Sequence, residues 1–407
     1  MTFDVALTGI NAASTELEVI SNNIANNATS GFKRSRVEFA DVYASSTLGS
    51  SSLSVGQGVR VSDVGQEFSQ GDVSFTNNNL DLSVDGQGLF RIVDNGKVVY
   101  SRAGAFRLDR EGYIVNAQGQ NLTGYRVDES DEILPITENL RVDYSDLPPK
   151  STEKVELAMN LDSLADVLPP FDPTDPNTYN YSTATTVYDS LGSAQIATLY
   201  LHKDAPNAWT SYLYVDGKEV SQPGGDEFAF DDNGTLLNVN GAPGGTFTST
   251  TFQPDSDAGP MSIDFDVSAI TQFEGPFGVN QIVQDGYTAG RLDDFDIDAQ
   301  GMIFGRFSNG QAKTMGQITL TNFSNASGLQ QMGNNNWAET YASGVPATGE
   351  PGSASLGLIQ AGALEGSNVD ITQELVAMIG AQRSFQANAQ VISTGDTLTQ
   401  TVINIRR

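Results

Sequence analysis

The chain has 407 residues, 39% of them hydrophobic and 17% charged, enough to bury a core and to divide into two or three domains. A formal net charge of −29 argues against nucleic acid as a partner, because phosphate binding needs a basic surface, and disfavours anionic membrane surfaces for the same reason. There is no cysteine, so disulfide and thiol chemistry are excluded, which suits a cytosolic chain or one that leaves the cell without oxidative folding.

The N-terminal stretch "MTFDVALTGINAASTELEV" has no basic leader and carries acids at Asp4, Glu16 and Glu18. It does not read as a cleavable secretory signal, and nothing elsewhere approaches the ~18 consecutive apolar residues of a membrane span. The expectation is therefore no membrane insertion, and either an intracellular protein or export by a dedicated apparatus. Phe3, Ala6, Ile10, Ala13, Leu17, Ile20 and Ile24 alternate by three and four, which predicts a helix with a narrow apolar seam. Such a helix cannot bury its seam alone and needs a partner.

The asparagine-rich stretch "SNNIANNATSGFKRS" follows, ending in a short basic run. Its residue types alone leave three readings open: a ligand site, a helix end or a connector. Asparagines can end a helix and accept left-handed conformations, Gly31 supplies a tight turn, and Phe32 can anchor the chain.

From about residue 70 to 360, two-residue alternation replaces the helical period. One pattern recurs three times: Phe106-x-x-Asp109-x-x-Gly112-x-Ile114, Phe228-x-x-Asp231-x-x-Gly234-x-Leu236 and Phe295-x-x-Asp298-x-x-Gly301-x-Ile303. It reads as strand, turn, strand, with Phe packed inward, Asp opening the turn and Gly taking positive φ. A calcium loop in "DDFDIDAQG" fails, because Ala299 stands where the loop glycine belongs and Gly305 where the bidentate acid belongs. Residues 146–290 hold 21 acids against 4 lysines, a net −17 that predicts a well-solvated, outward-facing block entered through Pro148-Pro149 and "LPPFDPTDP".

Catalytic patterns are missing. His202, the only histidine, sits in the strand-like "LYLHKD", where a surface or edge position is expected. No Cys/His set can hold zinc, and there is no nucleophile elbow, phosphate loop or dinucleotide fingerprint. The expectation is a protein that is not an enzyme, with no cofactor and no metal.

The far end, from Ser367 onward, again reads as helix, with an apolar face through Ile371, Leu375, Met378, Phe385, Ala389 and Ile392. It continues in shifted register through Leu398, Val402 and Ile405. Asp370 reads as the N-cap, with Gln373 and Glu374 following. Both terminal stripes are narrow and alike in length, so mutual pairing, within or between subunits, is predicted. Bottom-up, this is a mainly β, multidomain chain with long terminal helices that pair as a coiled coil.

Four stretches carry a resemblance. "SNNIANNATSGFKRSR" (21–36) is similar to the N-terminal signature of the axial proteins of the bacterial flagellum, the rod, hook and hook-associated family. "DLSVDGQGLFRI" (81–92), "YSRAGAFRLDREGYIVNAQGQNLTGY" (100–125) and "GALEGSNVDITQELVAMIGAQRSFQANAQVI" (362–392) resemble the other blocks of its rod and hook branch. An insert of roughly 135 residues (148–284) places the chain nearer the hook than the rod, and residues 308–344 resemble the hook branch's return segment. The alternatives are a distal-rod or hook-associated subunit or, in a different class, a secreted β-rich adhesin or binding module.

The resemblance implies nested, discontinuous domains. Residues 1–30 and 365–407 would form the terminal helices of an inner tube, and 31–70 a connector. Residues 71–147 and 285–364 would make an inner β domain, and 148–284 an outer acidic one. It implies assembly through Phe3, Ile10, Leu17, Ile20, Ile24, Ile371, Leu375, Met378, Phe385, Ile392 and Val402. It makes Asn22, Asn23, Asn26, Thr29, Gly31, Phe32 and Lys33 the hinge where helix hands over to stalk. "FADVY" matches the family's export pattern at Phe39 and Tyr43, although "FDVAL" fits as well and plain packing is an equal alternative. The implied role is a structural subunit, exported uncleaved and polymerised outside the cell into a tubular flexible joint. Its implied partners are further copies of itself, the hook cap, the distal rod, the hook–filament junction proteins and the export apparatus.

Overall fold

A computed structural model describes residues 2–42, 56–128 and 131–405. Two helices lie at the ends, α1 (Thr2–Ala25) and α2 (Ile371–Ile405), and the regular structure described between them is β apart from one short 3-10 turn. It divides into two compact units. The first comprises 1–143, 294–306 and 312–407, and the second 144–293 with 307–311.

In the first unit the helices pack against each other and run antiparallel. The Phe3 ring lies over Gly395, where an added Cβ would come within 2.8 Å of it. A Cβ on Gly9 would stand 2.7 Å from the Asn388 amide, and Asn23 reaches Glu374 at the other end. The seam is thus built on small residues, with Ala6, Ala12, Ala13 and Ala381 buried, and this brings the two backbones close. Asp370 caps α2 as its position predicts, its Oδ1 accepting from the Thr372 and Gln373 amides at 2.8 and 3.3 Å. The predicted face of α2 is only partly on this seam. Met378 and Ile392 are half-buried, whereas Leu375 is 47% and Leu398 62% exposed. Glycine and alanine, invisible to a search for large apolar residues, occupy the intervening seam positions.

Beside α1 lies a two-stranded antiparallel ribbon, β1 (Ser35–Asp41) and β2 (Val59–Gln66), with the Val59 amide donating to Thr8 Oγ1 at 3.3 Å. The main sheet of this unit interleaves distant segments. Strands Ala312–Ile318, Asn121–Val127, Leu89–Asp94, Lys97–Ser101, Asn336–Ala338 and Gln330–Gly333 follow one another, all antiparallel. The register sets Gln317 opposite Tyr125, Leu122 opposite Ile92, and Trp337 opposite Tyr100. Leu89, Tyr100, Phe323 and Trp337 form one buried cluster from both halves of the chain.

The second unit is two sheets over one core. The larger runs Tyr181–Tyr188, Ala194–Ala205, Ala208–Val215, Asp226–Phe230, Leu236–Val239 and Ala242–Pro243. The smaller runs Thr246–Thr248, Asp264–Asp266, Lys154–Asn160 and Gly278–Gln284. Alternation decides which side chains meet: Val155, Leu157 and Met159 from one sheet are buried with Leu199, Leu201, Trp209 and Phe228 from the other.

All three repeated turns form. Asp109, Asp231 and Asp298 each accept two backbone amides through Oδ1, from residues two and four ahead, at 2.7–3.0 Å. Gly112, Gly234 and Gly301 take φ of 86°, 78° and 74°. Phe106 and Phe228 pack inward, but Phe295 is only half-buried and Ile297 takes the core position.

His202 is not at a surface or an edge. It is buried in the second strand of the larger sheet, its Nδ1 2.9 Å from the Thr178 carbonyl and Nε2 3.4 Å from Asp204. A segment laid over the strand covers it, which the strand's own pattern cannot reveal.

Asp226, in the fourth strand of the same sheet, is fully buried, with Asn240 Nδ2 donating to Oδ1 at 2.8 Å and Oδ2 finding no donor among the described residues. Burial holds its carboxyl above the ordinary range, against the hydrogen bonds from Asn240 and the Gln222 amide. The folded state therefore keeps a proton that the unfolded chain releases near pH 4. The stabilisation is complete below that pH and is lost as pH rises through the folded value. Asp226→Asn is expected to stabilise the protein at pH 7 by about 1–3 kcal/mol and to change little at pH 4. Thermal unfolding of both proteins across that interval reads the difference, and parallel profiles would show that the carboxyl is hydrated.

Candidate functional site: the junction of terminal helices and sheet

The asparagine-rich stretch ends α1. The Asn26 amide donates to the Asn22 and Asn23 carbonyls at 3.1 Å, and its side-chain Nδ2 donates to the Asn22 carbonyl at 3.0 Å. Thr29 Oγ1 donates to Asn26 Oδ1 at 3.3 Å, so the last turn closes on its own side chains. Gly31 then takes φ 71°, its amide 2.8 Å from the Glu365 carbonyl; a Cβ there would stand 2.4 Å from the Ala103 nitrogen. Only glycine fits both the handedness and the approach. Phe32 is buried immediately after it.

Lys33 turns inward to an ionic cluster closed to solvent. Its Nζ donates to Glu365 Oε1 at 2.7 Å and to the Ser69 carbonyl at 2.6 Å. Glu365 Oε1 also accepts the Gly71 amide at 2.9 Å, and its Oε2 accepts from Arg102 at 3.0 Å. Arg102 in turn donates to the carbonyls of Val84, at 3.0 Å, and Gly86. All three charged side chains are buried. Two cations face one carboxylate, and three carbonyl oxygens take the surplus positive charge. Burial lowers the Lys33 ammonium below the ordinary lysine range, opposed by Glu365 and assisted by Arg102; burial lowers Arg102 likewise. The cluster ties five separate segments, near residues 33, 70, 85, 102 and 365, at one point.

A second layer joins the helices to the ribbon. Asn23 Nδ2 donates to the Ser35 carbonyl at 2.8 Å, and the Ser35 amide returns a bond to Asn23 Oδ1 at 3.0 Å. Asn23 Nδ2 also reaches Glu374 at 3.3 Å, and Arg34 bridges Glu374 and Glu67 at 3.6 and 2.9 Å. Asn368 accepts the Arg34 amide at 2.7 Å and donates to the Glu67 carbonyl at 2.8 Å. These bonds turn the entry to β1 and the entry to α2 into one rigid corner.

Of the predicted hinge residues, Asn23, Gly31, Phe32 and Lys33 are brought together here. Asn26 and Thr29 line the helix end, and Asn22 is exposed. Of the predicted assembly residues, Ile20 is buried, and Ile10, Leu17, Ile24, Met378 and Ile392 are half-buried along the helix pair. Phe3, Ile371, Leu375 and Phe385 are exposed. Phe39 is exposed on β1, and Tyr43 and the Val402 side chain lie outside the described residues. Arg102, Glu365, Asn368 and Glu374 were not singled out by sequence. A lone acid closing the apolar "GALE" is the one signal that could have marked Glu365. Among the described residues no helix is long and apolar enough to cross a membrane.

Comparison with known proteins matches the chain along most of its length. The family models are the flagella basal body rod protein at residues 3–33 and the flagellar hook protein FlgE/F/G D1 domain at 83–148. The flagellar basal body protein FlaE D2 domain follows at 160–287, and the flagellar basal body rod FlgEFG protein C-terminal model at 360–405. The flagellar hook protein FlgE of Salmonella typhimurium is 38% identical over 423 residues, covering 100% of both chains. That of Escherichia coli is 37% identical with the same coverage, and that of Borreliella burgdorferi 32% over 98% of each. In structure, Helicobacter pylori flagellar hook protein FlgE2 superposes over 70% of this chain and 99% of its own, with TM-score 0.54 and 14% identity, a likeness of fold. Identity at this level over the full length of both proteins shows that the chain belongs to the flagellar hook protein FlgE family.

Proposed function

We propose that the chain polymerises head to tail into a tube, the flagellar hook, which bends while carrying torque from rod to filament. The observation that carries this reading is the surface the helix pair leaves uncovered. Ile371, Leu375, Val376, Ile379, Phe385, Val391, Leu398 and Ile403 are all exposed along α2, and Val5 and Leu7 along α1. That much exposed apolar surface on a single helix pair calls for cover, and neighbouring copies of the same pair supply it. In this reading 1–30 with 365–407 line the inner tube and 31–70 connects them to the stalk. Residues 71–147 with 285–364 form the inner β layer, and 148–284 the outer, acidic one. The junction around Lys33, Arg102 and Glu365 holds the helices at a set angle to the sheet, so that force on one is passed to the other.

The tube is built outside the cell by subunits exported without cleavage. Besides further copies, its partners are the hook cap, the distal rod, the hook–filament junction proteins and the export apparatus. Phe39, exposed on β1, is open to the export apparatus in a partly folded chain. Electron microscopy of the purified protein under polymerising conditions tests the reading: tubes are expected, and a protein that stays monomeric under every condition would overturn it.

A further inference from the structure

Residues 314–349 hold a single ionisable acid, Glu339, and no base, in a chain with 50 acids. Within this stretch the loop at 340–346 is closed on itself and tied to the short 3-10 turn Ala326–Gly328 and its cap. Ser343 is fully buried; its Oγ donates to the Thr340 carbonyl at 2.8 Å and accepts the Thr340 amide at 3.0 Å. Thr340 Oγ1 donates to the Gly328 carbonyl at 2.6 Å, and Asn325 Nδ2 to the Ala342 carbonyl at 3.0 Å. Glu339 is turned to the Tyr100 hydroxyl at 3.4 Å, at the margin of the aromatic cluster with Trp337 and Phe323. On this fixed base Tyr341 is 105% and Val345 85% exposed.

An aromatic side chain held wholly in water by a rigid loop does nothing for the fold of its own chain. It is an anchor whose backbone ordering is already complete, the arrangement that makes aromatic residues dominate interfaces. The charge indicates what it meets. Two copies of a chain at −29 repel, which favours contact where acids are sparse, whereas a cationic partner would be drawn to the acidic surfaces instead. We infer that Tyr341 and Val345 form a knob that docks on an unlike surface of a second copy of this chain. This rests on the assembly reading above and adds to it a contact made by a loop outside the helix pair.

The test uses the full chain. Tyr341→Ser combined with Val345→Ser is expected to slow tube growth about tenfold or more while leaving the monomer's unfolding midpoint unchanged. A photoreactive benzoylphenylalanine at 341, which keeps the ring, is expected to yield covalent dimers on irradiation of tubes but not of monomers. Normal tube growth by the serine variant, with no dimers from irradiated tubes, would overturn the knob and leave the assembly reading standing. If the unaltered chain forms no tubes, the assembly reading falls and the knob with it.

Discussion

Glutamine in place of Glu365 is expected to destabilise the first unit by about 3–5 kcal/mol, the cost of breaking a buried ion pair by removing one partner. The substitution keeps the shape, but it removes the charge and turns one acceptor oxygen into an NH2 donor that faces another donor, Arg102 or Lys33. Lys33 and Arg102 would remain buried and face each other with no carboxylate between them. Lys33→Met should cost less, because it removes the surplus cation and leaves Arg102 balanced against Glu365. Combining the two should cost less than the sum of the singles, since the methionine relieves the repulsion that the glutamine exposes. Urea unfolding of the three variants measures these differences. Additive effects, or a glutamine variant as stable as the parent, would mean that water reaches the cluster and that it does not hold the corner.

The second large effect is on assembly. Leu375→Asp and Ile379→Asp are expected to abolish tube formation while moving monomer stability by no more than about 0.5 kcal/mol, as for ordinary surface substitutions. Both side chains are exposed on the outer face of α2 and contribute little to the monomer's core. A charge there becomes costly only when a neighbouring copy covers it. Ala381→Asp is the contrast, since that residue is buried against α1 and the aspartate should disrupt the helix pair before any polymer forms. Thermal unfolding of the monomers and electron microscopy of the polymerised samples separate the two cases. Tubes from Leu375→Asp would show that this outer face of α2 is not an assembly surface.

Some of this was written locally and could be read directly. The three- and four-residue spacing from Phe3 to Ile24 and from Ile371 to Ile392 marked both helices, and Asp370 marked where the second begins. The Asp-x-x-Gly turns were legible because each is closed by bonds between residues no more than four apart. Their flanking strands were harder to place, as Phe295 shows by sitting half-out while Ile297 fills the core. The partition of charge set the acidic second unit apart from its surroundings.

Other features have no local signature. The hinge stretch looked like a helix end, a connector or a ligand site, and nothing near Lys33 announces a partner 332 residues away. Residues 89–127 and 312–338 lie in one sheet although some 185 residues of chain separate them, and Glu365 reaches Arg102 from a different pairing, of Ala363–Glu365 with Val73–Phe75. The helix seam runs through Gly9, Asn388 and Gly395 because close approach rewards small residues, which a count of large apolar ones passes over. His202 is buried because a distant segment covers an otherwise edge-like pattern. Sequence by itself determined the elements, their turns and the family, because periodicity and turn chemistry act within a few residues. Tertiary structure decided the junction, the seam and the exposed knob at Tyr341, because burial and charge pairing depend on which distant segments are brought side by side.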